Sequence, residues 1–304
     1  MRELVRALAL ALRERVLPAL GSHAARSHER AAAGGDVTFG IDVEAERELE
    51  RFLAARAPGV AFYSEDAGLV APAAAPETVL VVDPVDGTRP ALAGLESCCV
   101  SVAAAPYHEA VTMGEVTLGC VVEIPSGTVF LAERGSGVLE SPAVRLSANE
   151  EIGRMFWSYG LRGRPARPTA EVLAELIDAS SVGGASFELG SAAFELTRIV
   201  TGQLDAYVEP GARLVADVPG MREEFERVGG GAVLNNSPYD LAAALLILEE
   251  VGAVASDAYG RPLSDKPLLG SGAGFQMSLV AAGNARLHAR VLAAVHDGVE
   301  RVSG

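Results

Sequence analysis

The stretch Val79-Leu80-Val81-Val82-Asp83-Pro84-Val85-Asp86-Gly87-Thr88 decides the fold of this 304-residue chain. Its first half is short, β-branched and uncharged, which is typical of a strand buried on both faces. Pro84 removes a backbone hydrogen-bond donor, so the strand is expected to stop at Asp83-Pro84. Asp83 and Asp86 would then project from a rigid strand end into the space beyond the sheet.

Two carboxylates three residues apart are hard oxygen ligands that suit Mg²⁺, which takes one or two carboxylates and keeps several waters. Gly87 and Thr88 follow where a helix or turn begins, and the free N–H groups of such a start bind phosphate. The Thr88 hydroxyl is placed to hold or activate a water. The alternative stays open that Asp-Pro merely stops a strand and Asp-Gly forms a plain turn.

Three further acids stand at predicted element ends. Glu65 follows a short apolar run, Asp42 begins a helical pattern, and Asp240 opens a long apolar helix. Each has an ordinary alternative, since Glu is mostly a surface residue and Asp is a good helix N-cap. Taken together with Asp83 and Asp86, they favour a site for more than one cation.

Periodicity predicts a mixed α/β (α+β) chain in two halves, residues 1–148 and 149–304. The first half combines helices with a largely antiparallel sheet, and the second alternates helix and strand. A polar segment without periodicity, residues 23–35, is predicted to be a loop. The other predicted elements are helices over 1–19, 42–57, 189–201 and 241–251, and strands over 78–82, 98–105, 116–124, 128–132, 204–208 and 254–256.

The formal net charge of −15 disfavours nucleic acid and anionic membranes as partners. An acidic protein can still act on a phosphate ester if bound cations reverse the local field. Charged residues interrupt the N-terminal apolar pattern, so it predicts an amphipathic helix, neither a signal peptide nor a membrane span. The three cysteines lie in apolar surroundings without metal-type spacing, which favours reduced core residues in a cytoplasmic protein.

Two signatures in order resemble those of the inositol monophosphatase family of Mg²⁺-dependent, lithium-sensitive sugar phosphatases. Asp83-Pro84-Val85-Asp86-Gly87-Thr88 matches Asp-Pro-(Ile/Leu/Val)-Asp-Gly-Thr, and Tyr239-Asp240-Leu241-Ala242-Ala243 is similar to Trp-Asp-x-Ala-Ala. Gly35-Asp36-Val37-Thr38-Phe39-Gly40-Ile41-Asp42 is similar to Asp-Leu-Val-Thr-x-x-Asp. Ser64-Glu65-Asp66 is similar to Gly-Glu-Glu, and Gly190-Ser191-Ala192-Ala193 with Asp205-Ala206-Tyr207-Val208-Glu209 is similar to the substrate-side segment.

The resemblance implies a layered α-β-α-β-α sandwich, a homodimer, and a small-molecule phosphate ester as substrate. It implies two or three Mg²⁺ ions held by Glu65, Asp83, the Val85 carbonyl, Asp86 and Asp240. It implies that Asp42, Thr88 and Glu65 activate the attacking water and that the Gly87 and Thr88 amides receive the phosphate. The residues that it implies on the polyol side are Gly190, Ser191, Ala192 and Glu209.

The chain departs from the family pattern beside the substrate. Arg89-Pro90-Ala91 replaces the usual Thr-Asn-Phe, and residues 211–238 form a longer segment than in inositol monophosphatase itself. The predicted substrate is inositol monophosphate or fructose 1,6-bisphosphate. A 3′-phosphoadenosine nucleotide or histidinol phosphate is the enzymatic alternative, and a non-catalytic relative that binds metal or a phosphate ligand is the alternative of another class.

Overall fold

The computed structural model describes residues 1–22, 26, 28–31, 37–72 and 75–304. Elements of the first half in chain order are α1 (Arg2–Val16), β1 (His28–Ala31), β2 (Val37–Phe39), α2 (Gly40–Arg56), β3 (Ala61–Ser64), β4 (Gly68–Val70), β5 (Thr78–Asp86), α3 (Thr88–Ala93), β6 (Cys99–Pro106), β7 (Leu118–Glu123), β8 (Val129–Glu133) and β9 (Gly137–Glu140). Single 3₁₀ turns lie at Leu17–Ala19 and Met113–Glu115.

The second half contains five more strands and a series of helices. Its elements are a 3₁₀ turn (Ile152–Arg154), β10 (Phe156–Tyr159), α4 (Ala166–Ser180), β11 (Ala185–Phe187), α5 (Ala192–Thr201), β12 (Ala206–Glu209), α6 (Gly211–Asp217), α7 (Met221–Val228), α8 (Pro238–Val251), β13 (Val254–Ser256), β14 (Leu279–Ala282) and α9 (Ala285–Ser303).

The strands form two large sheets and a small hairpin-like pair. The first large sheet has seven strands in the order β4-β3-β5-β6-β7-β8-β9, and of its pairings β3–β5 is parallel while the others are antiparallel. The second has five strands in the order β11-β10-β12-β14-β13, with β10 parallel to both neighbours. β1 and β2 pair with each other alone.

Side-chain alternation along the strands divides the interior into layers. Val79 and Val81 of β5 face a core shared with α5 and α8, whereas Leu80 and Val82 face α1 and α2. In β12, Tyr207 faces the α5/α8 core, while its neighbours on either side face α4 and α9. The order is therefore α1/α2, sheet, α5/α8, sheet, α4/α9, and the predicted α-β-α-β-α sandwich is confirmed.

Helix α8 lies in the middle layer, where the two sheets and helix α5 cover its apolar side chains. Its residues 241–248 are all buried, as expected for a helix between two sheets. Gly119 in β7 allows a very close approach, because a Cβ at this position would lie 2.4 Å from the carbonyl oxygen of Ala243. The sheet and helix backbones are thus nearly in contact at this point.

Most predicted elements are confirmed, with small shifts at their ends. The predicted loop over residues 23–35 is wrong in part, because His28–Ala31 form strand β1; the rest of that segment lies largely outside the described residues. A polar strand with one neighbour shows no apolar alternation, so its sequence carries no strand signal. The division at residue 148 stays a prediction: the two sheets separate there, yet α5 and α8 complete the core of the first sheet.

The cysteines lie in the core of the protein. Cys98, Cys99 and Cys120 are free and buried, as predicted. Within the described ranges, none of the helices is both long enough and apolar enough to span a bilayer.

Replacing Gly119 tests the contact between β7 and α8. We expect Gly119→Ala to lower the free energy of unfolding by about 1–3 kcal/mol, since overpacking forces backbone shifts. The measurement is urea unfolding followed by circular dichroism. Gly59→Ala is the matched control, because a Cβ there meets nothing within 4 Å. Equal stability of the two variants would contradict the close packing.

Candidate active site

Strand β5 continues past the residue at which the sequence predicted its end. It runs through Pro84 to Asp86, and its pairing with β6 shifts between Asp83, opposite Ser101, and Asp86, opposite Cys99. Such a bulge leaves one residue outside the ladder, so the N–H that proline lacks is not needed there. The predicted strand stop is therefore wrong, and Asp83 and Asp86 both lie within the last four residues of the strand.

Three carboxylates meet at this strand end. Asp83, Asp86 and Asp240 each offer one oxygen, and these oxygens all lie within 4.8 Å of one another. Asp83 and Asp86 are only 3% and 6% exposed. Glu65, directly after β3, lines the same cleft. Since like charges at this distance repel strongly when buried, the cluster fits a metal ion, and its all-oxygen donors suit a hard cation.

The pKa values of the metal-free protein report this crowding. Burial, followed by the charges of Asp86, Glu65 and Asp240, raises the pKa of Asp83 well above its usual range. Burial also raises the pKa of Asp86 to about 6. Burial and the charge of Asp86 raise the pKa of Asp240 to about 7. Without a cation, bound protons lower the repulsion among these carboxylates.

Asp42 and Asp240 occupy the same place in their helices. Each is the third residue, and each accepts a hydrogen bond from the backbone N–H of the residue before its helix: Phe39 N to Asp42 Oδ2 at 2.8 Å, and Ser237 N to Asp240 Oδ2 at 2.5 Å. The alternative interpretation of both aspartates as N-cap residues is wrong, because each lies three residues after the N-cap of its helix. From the third position the carboxylate caps the helix and still extends toward the site.

A hydrogen-bond chain links helix α2 to the start of α3. The Thr88 hydroxyl lies 3.0 Å from Asp42 Oδ1 and 3.1 Å from the carbonyl oxygen of Val85. Gly87 has φ +88°, and a Cβ there would lie 2.6 Å from the carbonyl oxygen of Ser97, so only glycine fits. The predicted helix start after Asp86 is confirmed.

The segment before α5 supports Asp86. Ser191 is 1% exposed, and its hydroxyl donates to Asp86 Oδ2 at 2.8 Å. The Ala193 N–H donates to the same oxygen at 2.7 Å. Gly190 and Ala192 line the neighbouring part of the cleft. Contact of Gly190, Ser191 and Ala192 with a substrate stays a prediction.

Glu209 is buried beside an arginine, and its contact with a substrate stays a prediction. Its side chain is fully buried, and Oε1 accepts from Arg164 Nε at 3.0 Å and from the Gly211 N–H at 2.8 Å. Oε2 has no hydrogen-bond partner among the described residues. The carboxylate is thus neutralised by an arginine that sequence reasoning did not single out.

Arg164 joins three segments around the cleft. Besides Glu209, it donates to the carbonyl oxygen of Arg162 at 2.6 Å and to Asn236 Oδ1 at 3.3 Å. Arg162 lines both parts of the cleft together with Asn235. The sequence signal for the two arginines is a Gly-Leu-Arg-Gly-Arg loop directly after a short strand, β10, at the same kind of strand end as Asp86.

The long segment 211–238 forms part of the cleft wall. Its predicted helix near residues 221–228 is confirmed as α7, and α6 precedes it. Leu234, Asn235 and Ser237 line the cleft together with Gly87 and Thr88. Of the family-like stretches quoted above, Gly35-Asp36 lies outside the described residues.

Comparisons with known proteins agree along the whole chain. The model of the inositol monophosphatase family matches residues 1–300. A protein of Methanothermobacter thermautotrophicus named fructose-1,6-bisphosphatase/inositol-1-monophosphatase is 29% identical over 287 residues, which cover 91% of this chain and 90% of that protein. The Nus factor SuhB of Vibrio cholerae is 24% identical over 249 residues, or 79% of this chain and 81% of that protein.

Solved structures show the same fold. The IMPase of Thermotoga maritima superposes with a TM-score of 0.70 at 20% identity, covering 98% of this chain and 97% of that chain. The similarity extends over both sheets and all three helical layers.

The raised pKa of Asp240 predicts how the stability of the metal-free protein depends on pH. Its pKa is about 7 in the folded protein against about 3.9 when unfolded, so the folded state binds more protons between these values and its stability falls as pH rises through them. Asn mimics the protonated carboxyl and can still accept from Ser237 N–H. We therefore expect Asp240→Asn, in EDTA, to be increasingly more stable than wild type from pH 5 to 8.

Thermal unfolding at several pH values measures this difference. Saturating Mg²⁺ should make wild type more stable than Asp240→Asn, because the cation stabilises the folded wild-type protein more than it stabilises the variant. Asp178→Asn, an exposed substitution on α4, is the control and should follow wild type throughout. A difference that does not change with pH would show that Asp240 is ionised in the metal-free protein.

Proposed function

The chain belongs to the inositol monophosphatase family of metal-dependent phosphatases, and from this we propose that it uses Mg²⁺ to hydrolyse a small sugar or polyol phosphate. One observation carries the proposal: the carboxylates of Asp83, Asp86 and Asp240 converge in a cleft that Thr88 also lines, and the Thr88 hydroxyl hydrogen-bonds to Asp42. Metal ligands and water-activating groups thus lie on adjoining strand and helix ends.

The proposed cofactor is two or three Mg²⁺ ions. Their ligands would be the carboxylates of Glu65, Asp83, Asp86 and Asp240 and the carbonyl oxygen of Val85. Bound in pairs, such ions lower the pKa of a water molecule and stabilise the entering and leaving oxygens of an in-line displacement. Oxygen-only donors and the raised pKa values of Asp83 and Asp240 support this, since a bound cation displaces protons from such carboxylates.

The protein's own residues would then handle the water and the phosphate. The Thr88 hydroxyl donates a hydrogen bond to Asp42 Oδ1, so a water that donates to the Thr88 oxygen can pass a proton through this hydroxyl to Asp42 as the water oxygen attacks phosphorus. Glu65 would assist from its ligand position. The Gly87 and Thr88 amides begin α3 and would receive the phosphoryl oxygens. The P–O ester bond breaks, and the leaving oxygen takes a proton from a solvent water, so that the alcohol departs.

A panel of phosphate esters tests the reaction. We expect the purified protein to release phosphate from inositol 1-phosphate or fructose 1,6-bisphosphate with Mg²⁺ and to release none in EDTA. The panel includes a 3′-phosphoadenosine nucleotide and histidinol phosphate, which separate the alternative substrates, and Li⁺ as inhibitor. Released phosphate is measured colorimetrically at several substrate concentrations.

Three variants make the result specific. Asp86→Asn should abolish turnover and weaken Mg²⁺ binding, while Thr88→Ala should lower kcat by about 10²–10⁴-fold and leave Mg²⁺ binding intact. Thr88→Ser keeps the hydroxyl and should retain most of the activity. If wild type binds Mg²⁺ by calorimetry but hydrolyses no ester in the panel, the chain is a non-catalytic metal-binding relative.

The charges opposite the metal ligands favour a substrate with a second anionic group. Glu209, predicted to face a polyol, is instead paired with Arg164, and Arg162 lines both parts of the cleft. Arg89, where the family pattern has Thr, lines it too and lies over the Phe39 ring at 5.4 Å. Guanidinium groups bind phosphate well, which supports fructose 1,6-bisphosphate over inositol monophosphate.

Arg162→Gln separates these two substrates. We expect it to lower kcat/KM for fructose 1,6-bisphosphate by about 10-fold or more, mainly through KM, and to change kcat/KM for inositol 1-phosphate less than about 3-fold. Arg167→Gln, an exposed substitution on the neighbouring helix α4, is the matched control and should change neither. An equal loss for both substrates would place Arg162 at the common phosphate and overturn the second-anion assignment.

We also propose that the protein is a cytoplasmic homodimer. Three free buried cysteines support a reducing compartment, and the net charge of −15 argues against nucleic acid as partner. Light scattering at several protein concentrations measures the assembly.

A further inference from the structure

We propose that Glu46 is a positioning residue that fixes the metal-ligand segment around Glu65, an inference that rests on the metal role proposed for Glu65. Glu46 lies on helix α2 and is only 6% exposed. It carries a carboxylate that belongs neither to the Asp83–Asp86–Asp240 cluster nor to the residues that line the cleft. Its burial therefore calls for a reason other than contact with the substrate.

The two oxygens of Glu46 hold the chain on both sides of Glu65. Oε2 accepts from the hydroxyl of Ser64 at 3.0 Å, and Oε1 faces the backbone N–H of Asp66 at 3.4 Å. Ser64 is fully buried, and its hydroxyl oxygen also accepts from the Ala67 N–H at 3.3 Å. One carboxylate thus fixes the last residue of β3 and the turn that follows it.

A second contact strengthens this arrangement. The Thr38 hydroxyl donates to Asp66 Oδ1 at 2.5 Å, so β2, directly before α2, also holds the residue after Glu65. Strand β2 pairs with β1 and lies outside the sheet that contains β3. It therefore holds the turn around Glu65 through a side-chain contact and not through strand pairing. Sheet pairing alone would leave the turn after Ser64 without these contacts.

Helix α2 connects this anchor to the proposed water-activating pair. Asp42 and Glu46 are four residues apart and lie on the same face of the helix. Asp42 contacts Thr88, and Glu46 contacts the residues that flank Glu65. The position of α2 thus sets the distance between a metal ligand and the group that handles the water, in the way that outer residues orient ligands in other metal sites.

Mg²⁺ dependence distinguishes positioning from mere stability. We expect Glu46→Ala to raise the half-saturating Mg²⁺ concentration for phosphate release by about 10-fold or more and to weaken Mg²⁺ binding by calorimetry to match. Glu46→Gln retains one acceptor oxygen and should show a smaller shift. Ser64→Ala removes one of the two contacts and should fall between wild type and Glu46→Ala.

Leu49→Ala is the matched destabilised control. It lies on the same helix, is fully buried and packs in the core away from Glu65, so it should lower the melting temperature without changing the Mg²⁺ requirement. If Glu46→Ala shifts Mg²⁺ binding no more than Leu49→Ala, Glu46 is only a structural residue and the inference is wrong. Calorimetry keeps this outcome separate from failure of the proposed function, which would appear as Mg²⁺ binding without hydrolysis in wild type.

Discussion

Crowding of buried negative charge is the constraint on which this structure depends. Three carboxylate oxygens within 4.8 Å of one another repel strongly at low exposure. The energy of such a cluster depends on what neutralises it, and a cation does so better than protons at neutral pH. The fold therefore has to bring carboxylates together from distant parts of the chain and hold them until a cation binds.

Backbone N–H groups do the holding. One oxygen of Asp83 accepts from Val85 N, one of Asp86 from Ala193 N, one of Asp240 from Ser237 N, and one of Asp42 from Phe39 N. Each of these donors sits at a strand bulge or a helix start, where the backbone has N–H groups that the regular pattern leaves unpaired. Each aspartate thus uses one oxygen for a backbone N–H and leaves the other for the site.

The parts of the fold that follow from burial periodicity could be predicted. The apolar run before Asp83 and the all-apolar helix after Asp240 signal buried elements, and the acids next to them signal a site. What escaped prediction depends on partners distant in sequence. Pro84 stays within its strand because a bulge accommodates it, and the charge of Glu209 is balanced because Arg164, from another loop, pairs with it. Neither arrangement is visible in a local pattern.

The same reasoning explains why this chain keeps the family pattern on one wall of the cleft and leaves it on the other. The metal-side acids are constrained by one another, so changing any one of them leaves unbalanced charge. Across the cleft, Arg164 fixes Glu209, the Arg162 carbonyl and Asn236 by hydrogen bonds from one side chain. A buried ion pair adds little stability compared with apolar packing, but it fixes geometry. Arg164 therefore connects the arginine loop to the segment 211–238 through contacts that are separate from those that hold the carboxylate cluster.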